Sequence, residues 1–321
     1  MNTAVKTEMS EAKSEHSTEG VTAAPSKFQL VAALSAFAIL LGCIGWAYWP
    51  NLVEMVELWE SEPDYSHGYL VLPIAIAFLW IRQDSFPSQG IQPAVVSGMI
   101  LVVLSIVGRM FAASYFIGPL DTWTLLPLLA GIVLIFFGWR IAWWSLPSIF
   151  FLWFAMPLPH SVETGLRLPL QSVATNVSTG VLVALGQPAI SEGNTIRIDE
   201  AVFGVNEACS GLRIFFGIAA FAFALVIISR RAWITSILLL LAVLPIALVS
   251  NATRITVTCL LYQLVGSEAS KEFSHDMAGF VMIPFAGVLL CICMWILSQI
   301  FREVDGVDPQ TFFQRSPQRE L

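Results

Sequence analysis

Three side chains able to transfer an acyl group, a thiol, a guanidinium and an imidazole, each stand at one end of an apolar run in this chain. The thiol lies in 206–213, NEACSGLR, at the head of the uncharged run 214–229. Asn206 has the side chain to cap a helix that begins just before Cys209, and the partial positive end of that helix then lies beside the sulfur. Arg213 follows four residues later, one turn on along the same face. Ser210 and Gly211 keep that face small, so a substrate backbone can come close. A cationic, capped helix start is where a thiol loses its proton readily, and the thiolate is the nucleophile. Taken alone, Cys209 also reads as a buried cysteine that only packs.

The partners come later in the chain. Arg254 ends SNATR after the run 232–250, and His275 with Asp276 opens the run 277–301. Together with Cys209 they form a complete acyl-transfer set. Cys209 attacks a peptide carbonyl. His275, titrating near neutrality, protonates the leaving amine and then activates the incoming nucleophile. Arg254 cannot lose its proton, so it holds the oxyanion or the substrate carbonyl. Asp276 adjoins His275, but neighbouring helix residues do not face each other, which speaks against a Cys-His-Asp triad. Read singly, His275 is an interfacial histidine and Arg254 a snorkelling anchor. Tyr65 and His67 in DYSHGYL, and Asn251 beside Arg254, take supporting or substrate-binding roles. Arg109 lies inside an apolar run, where a lone charge is costly; it is assigned to a structural pair with Asp121. His160 reads as a loop residue and His16 as part of a tail.

The elements that must position these groups are membrane spans. The 321 residues are 56% apolar and only 12% charged, about half the charge of a soluble domain, and mean hydropathy is +0.75. The expected fold is an all-α polytopic membrane protein of about eight transmembrane helices: 28–49, 68–81, 94–117, 120–138, 141–157, 209–229, 232–250 and 277–301. An amphipathic helix and a short strand-like loop are added on the outer face. Pro147 is expected to kink or break the fifth span, and 50–66 reads as a short polar link. Segment 255–266 is too short to cross; it is either interfacial or an extension of the seventh helix. In the amphipathic segment Glu163, Arg167, Gln171, Thr175 and Ser178 alternate with Leu166, Leu170, Val173, Val177 and Val181, a pattern suited to the bilayer surface. Segment 190–205 is strand-like, with a turn at Gly193-Asn194. Domain boundaries follow: a disordered cytoplasmic tail 1–27, a membrane domain 28–302 with an outer-face segment 159–206, and a disordered cytoplasmic tail 303–321. The first 26 residues hold no apolar core and are not a signal peptide.

Composition excludes other classes. No basic patch suggests nucleic acid. Five cysteines, paired in spacing only at Cys291-x-Cys293, argue against a disulfide framework or a zinc site, and no metal or cofactor is expected. Cys43, Cys259, Cys291 and Cys293 read as small hydrophobes.

Charge sets the orientation. With the N-terminus inside, Lys27, Arg82, Arg140, Arg230-Arg231 and Arg302 all fall at cytoplasmic ends, as the positive-inside rule asks. The opposite ends hold Tyr65, Ser66, His67, Asp121, the amphipathic segment, Cys209, Arg254 and His275. The runs from Cys209 to Arg230 and from Arg231 to Arg254 measure ~32 and ~35 Å at ~1.5 Å per residue. Cysteine and arginine therefore return to one level, and His275 tops the next descending helix.

The ordered motifs EACSGLR, SNATRI and HDMAG, preceded by DYSHGYLVLP, MPLP and ISEGNTIRI, resemble the exosortase/archaeosortase family over 64–287. The resemblance implies a catalytic set of Cys209, Arg254 and His275 in a membrane-embedded cysteine protease or transpeptidase, sited in the cell inner membrane and linked to exopolysaccharide. It implies substrates that are exported, membrane-anchored proteins with a C-terminal sorting signal: a short, often Pro-containing motif, a hydrophobic helix and a basic cluster. The partners implied are those substrates, the lipid bilayer and a separate accessory protein, since an extra C-terminal domain fused in some members is not expected here. The basic cluster stays cytoplasmic while the helix spans, so the motif lands at the level of Cys209. Glu163, Glu192, Asp199 and Glu200 are candidates for lining the approach. Two rival readings are a transporter or channel, with polar groups near the midplane, and a non-catalytic assembly factor of polysaccharide export.

Overall fold

Apolar runs become helices in this chain because a backbone in hydrocarbon must satisfy its own hydrogen bonds. The computed structural model describes residues 27–87, 91–205, 211–229, 232–265 and 278–301. The two terminal tails expected from the sequence lie outside those residues, apart from Lys27. The chain divides into two units, Met1–Pro50 and Asn51–Leu321. The first holds α1 (Lys27–Ala47), uncharged after its first residue.

The stretch taken as a polar link is instead α2 (Trp49–Ser61). Pro50 sits in its first turn, where a missing N–H costs nothing. Met55 is buried in a cluster with Phe78, Phe151 and Leu212, and Trp59 Nε1 donates to the Ala155 carbonyl at 2.9 Å. The chain continues through α3 (Gly68–Ile81), α4 (Val95–Ser114), α5 (Gly118–Trp123) and α6 (Leu125–Phe151). Next come α7 (His160–Ala184) and three strands, β1 (Ala189–Glu192), β2 (Thr195–Ile198) and β3 (Ala201–Gly204). The series closes with α8 (Leu212–Ser229), α9 (Trp233–Val265) and α10 (Ala278–Ile300).

This is a mostly helical, multi-pass membrane protein, but eight separate spans are not reproduced. By length and composition the described residues hold five helices able to cross a membrane, or up to six if one bent pair counts as a single span. Part of the difference is α3, whose 14 residues rise only ~21 Å against a hydrocarbon core of ~30 Å. A second part arises at the first span, part of which makes up the bent pair with α2, and a third at α6, where the expected fourth and fifth spans run on as one helical stretch. That stretch is not straight. Gly138 has φ 79° and ψ −176°, and a Cβ there would lie 1.8 Å from the Gln92 carbonyl oxygen, so only glycine fits. At the two ends, Trp123 Nε1 donates to the Pro157 carbonyl at 2.9 Å, which shows that the stretch folds back on itself. The break expected at Pro147 is thus at Gly138, while Pro147 stays within regular helix.

The first limb packs on α4. A Cβ on Gly98 would lie 2.6 Å from the Gly131 carbonyl oxygen, and Ser105 Oγ donates to the Thr124 carbonyl at 2.7 Å. The same seam holds the charge pair expected from the sequence. Arg109 Nε lies 3.2 Å from Asp121 Oδ1, and Asn51 Nδ2 donates to Asp121 Oδ2 at 2.9 Å. Removing one member leaves the other charge half-buried without its partner. Asp121→Leu is expected to cost at most about 3 kcal/mol, the low end for breaking a buried pair because these side chains are 31% and 21% exposed, and the double variant Arg109→Leu/Asp121→Leu less than that, both read from thermal unfolding in detergent.

Helix α9 corrects a second boundary. It runs unbroken for 33 residues, ~50 Å, so 251–254 is not a stop and 255–265 extends the seventh helix rather than lying at the interface. Polar residues do not end it because they are buried against the protein rather than facing lipid. Asn251 and Arg254 are 1% and 6% exposed, and Thr253 Oγ1 donates to the Val249 carbonyl at 2.8 Å. Beyond Arg254, Ile255 and Cys259 are buried against Ile196, Ile198 and Val205.

That contact builds a cap. The strand-like loop is an antiparallel sheet in the order β1-β2-β3, with Ile190 opposite Arg197 and Ile196 opposite Phe203. The expected turn at Gly193-Asn194 joins β1 to β2. Below the sheet, α7 begins at His160 itself, which is therefore not a loop residue. The stripes of α7 are as read from the sequence, but its polar one faces inward. Gln171, Thr175 and Ser178 are buried, while Val173, Val177 and Val181 are exposed. Ser178 Oγ donates to the Ala252 carbonyl on α9 at 3.1 Å. Cys259 packs in this cap as the small hydrophobe expected.

Candidate functional site

The site is organised around the α9 turn that carries Asn251 and Arg254, where the chain enters α8. Gly211 makes that entry: its carbonyl accepts the Phe215 N–H at 2.8 Å, and its φ is 81°. A Cβ on Gly211 would lie 3.0 Å from Asn251 Nδ2. The chain leading into α8 is therefore pressed against the first of two buried polar residues one turn apart. Arg254, the second, brings a permanent cation into the protein.

At the second residue of α8, Arg213 Nη2 donates to Ser66 Oγ at 3.5 Å, joining α8 to the segment before α3. That segment is a short 3-10 turn, Pro63–Tyr65, followed by Ser66 and His67. It is pinned at two further points. Leu158 N–H donates to Tyr65 Oη at 3.3 Å, and His67 Nε2 donates to the Phe154 carbonyl at 2.9 Å. Burial pushes the Tyr65 hydroxyl up to about 12, so it stays protonated. Burial also raises the Asp64 carboxyl above its usual range, against the opposing pull of Arg167 and then Arg213. Arg167 is paired in turn with Glu163, one turn back on α7. Gln171 Nε2 donates to the Val205 carbonyl, anchoring the chain just before 206–210.

Burial lowers the His67 imidazole below its usual 6.5. Between the lowered value and 6.5 the unfolded chain then binds more protons than the folded one, so stability rises with pH across that window and is lost on acidification. Asp64, raised by burial above 3.8, contributes with the opposite sign at lower pH. His67→Gln is expected to flatten the rise of Tm with pH just below 6.5, measured by thermal unfolding in detergent.

The structure brings together Gly211, Asn251 and Arg254, and separately links Arg213 with Ser66 in the segment holding Tyr65 and His67. Asn206, Cys209, Ser210, His275 and Asp276 lie outside the described residues. Of the acidic residues assigned to the approach, Glu163 is engaged with Arg167 and Glu192 with Arg197. Sequence reading did not single out Asp64, Ser66 or the Gln171 anchor. The one available signal was the i,i+4 spacing of Glu163 and Arg167. Among the described residues no group of three His, Cys, Asp or Glu side chains could hold a metal ion.

The family model described as transmembrane exosortase matches residues 59–292. The chain belongs to the transmembrane exosortase family. The match takes in both pinned segments, the cap, the 206–210 stretch and nearly all of the last three helices. It leaves out α1 and the two tails. No curated protein and no solved structure matches the chain.

Proposed function

We propose that this exosortase is a cysteine peptidase or transpeptidase of the cell inner membrane. It cleaves exported, membrane-anchored proteins at a C-terminal sorting signal through a thioester on Cys209, in surface sorting linked to exopolysaccharide. The single observation that carries the reading is the contact between Gly211 and Asn251. Two residues of chain reach at most about 7 Å, so Cys209 is tethered close to the turn that holds Arg254. Support for His275 comes from α10, which begins at Ala278, three residues on. Ile283 of that helix lines the same cleft as Ser66, His67 and Arg213.

In the proposed reaction the Cys209 thiolate attacks the scissile carbonyl carbon and forms the C–S bond. Arg254 holds the resulting oxyanion with two N–H donors. The C–N bond then breaks as His275 passes its proton to the leaving amine. Water or an amine attacks the thioester while His275 takes its proton, the C–S bond breaks, and the thiolate returns. Both termini are cytoplasmic, and the Cys209 end faces outward.

Cys209→Ala should abolish processing of a co-expressed exported protein carrying such a signal, followed by mass spectrometry, while the variant inserts normally. A membrane-impermeant thiol reagent should label Cys209 from outside. Retained processing in the alanine variant removes the enzyme claim.

A further inference from the structure

We infer that the face of α8 and α10 below Arg213 is the seat for the hydrophobic transmembrane helix of the substrate; this rests on the function proposed above and adds where the substrate lies. A cleft of about 380 Å³ is lined by Ser66, His67 and Arg213 at one end and by Ile74 and Ala224 at the other. A second, of about 610 Å³, runs down α10 to Ile292 and Trp295. The two share Gly217, Phe221 and Ile283, so they form one trough, open at the side of the helices and almost wholly apolar below its upper end.

Length decides the occupant. A Cβ on Gly287 would lie 3.7 Å from Phe221 Cε1, ordinary van der Waals contact, which sets α8 and α10 side by side. The trough starts one turn above Gly217, at Arg213, and ends twelve residues below Ile283, at Trp295. At ~1.5 Å per residue this is ~24 Å, most of a hydrocarbon core of ~30 Å. One lipid chain fills only one leaflet, about half that depth, whereas a transmembrane helix runs the whole way. The upper end is continuous with the candidate site, because Arg213 stands two residues from Gly211. A helix seated here emerges beside Ser66 and Arg213, and the peptide preceding it reaches the Asn251–Arg254 turn. Glycines at 217 and 287 leave room for a close backbone approach.

The test uses the full chain in membranes with Cys209→Ala, so that binding is read without chemistry. The co-expressed probe is an exported reporter ending in a Leu/Ala helix of about 20 residues and a basic cluster. A photoreactive residue at Val288, in the trough, is expected to crosslink to the reporter; one at Ile100, exposed on α4, is expected not to. Gly217→Leu, whose added side chain starts in open space, should lower the Val288 crosslink about tenfold, the effect of ~1.4 kcal/mol, with insertion and Tm unchanged. Equal crosslinking from Ile100 overturns the inference. So do crosslinks from Val288 only to phospholipid or to residues 27–47 of the same chain, or a yield that Gly217→Leu leaves unchanged. Loss of processing in Cys209→Ala with no Val288 crosslink would sink the seat and keep the enzyme. A Val288 crosslink with processing retained in Cys209→Ala would do the reverse.

Discussion

Arg254→Lys is expected to lower substrate processing by two to three orders of magnitude, about the cost of losing one oxyanion donor, with insertion intact. Lysine keeps the charge but offers a compact ammonium in place of a planar fork. The distinction matters because Arg254 is only 6% exposed, so water is poorly placed to substitute for a missing donor. The measurement is the rate of cleavage of an exported reporter, set against Tm in detergent. A lysine variant that processes at the natural rate would mean that charge alone suffices and that the two-donor role is wrong.

Gly211→Ala should be nearly as damaging, for a reason of shape rather than charge. At φ 81° an L side chain costs roughly 1–2 kcal/mol. The new methyl would also sit 3.0 Å from Asn251 Nδ2, tighter than an ordinary contact, so the buried Asn251 or the chain must give by a few tenths of an ångström. The entry to α8 must shift, and Cys209 with it. A displacement of about 1 Å at a reacting group can cost 10²-fold in rate, so a loss near 100-fold is expected while the protein still inserts. Gly211→Ala/Asn251→Ala removes the two nearest contacts but keeps a Cβ at 3.2 Å and the backbone strain, so only partial recovery of rate is expected.

What the sequence displays best is what each residue carries wherever it sits. Hydropathy is a local transfer free energy, so the apolar runs are visible as membrane helices without any coordinates. The Arg109–Asp121 pair is visible for the same reason, because an isolated charge in such a run has to find a partner. Segment 251–254 misled because polar residues end a span only if lipid surrounds them, and here α7 and the cap stand in for water.

The stripes on α7 show the limit most clearly. Their spacing is written in the sequence, yet which stripe faces inward depends on the solvent around the helix, and the structure turns Thr175 and Ser178 to the protein and Val173 and Val177 away from it. From the sequence alone come the membrane class, the family motifs and the residue types of the acyl-transfer set. Only tertiary structure decides the fold-back at Gly138, the unbroken run of α9 and the pressing of Gly211 on Asn251. Each of these depends on a close approach between segments far apart in the chain, and no local propensity encodes such a distance.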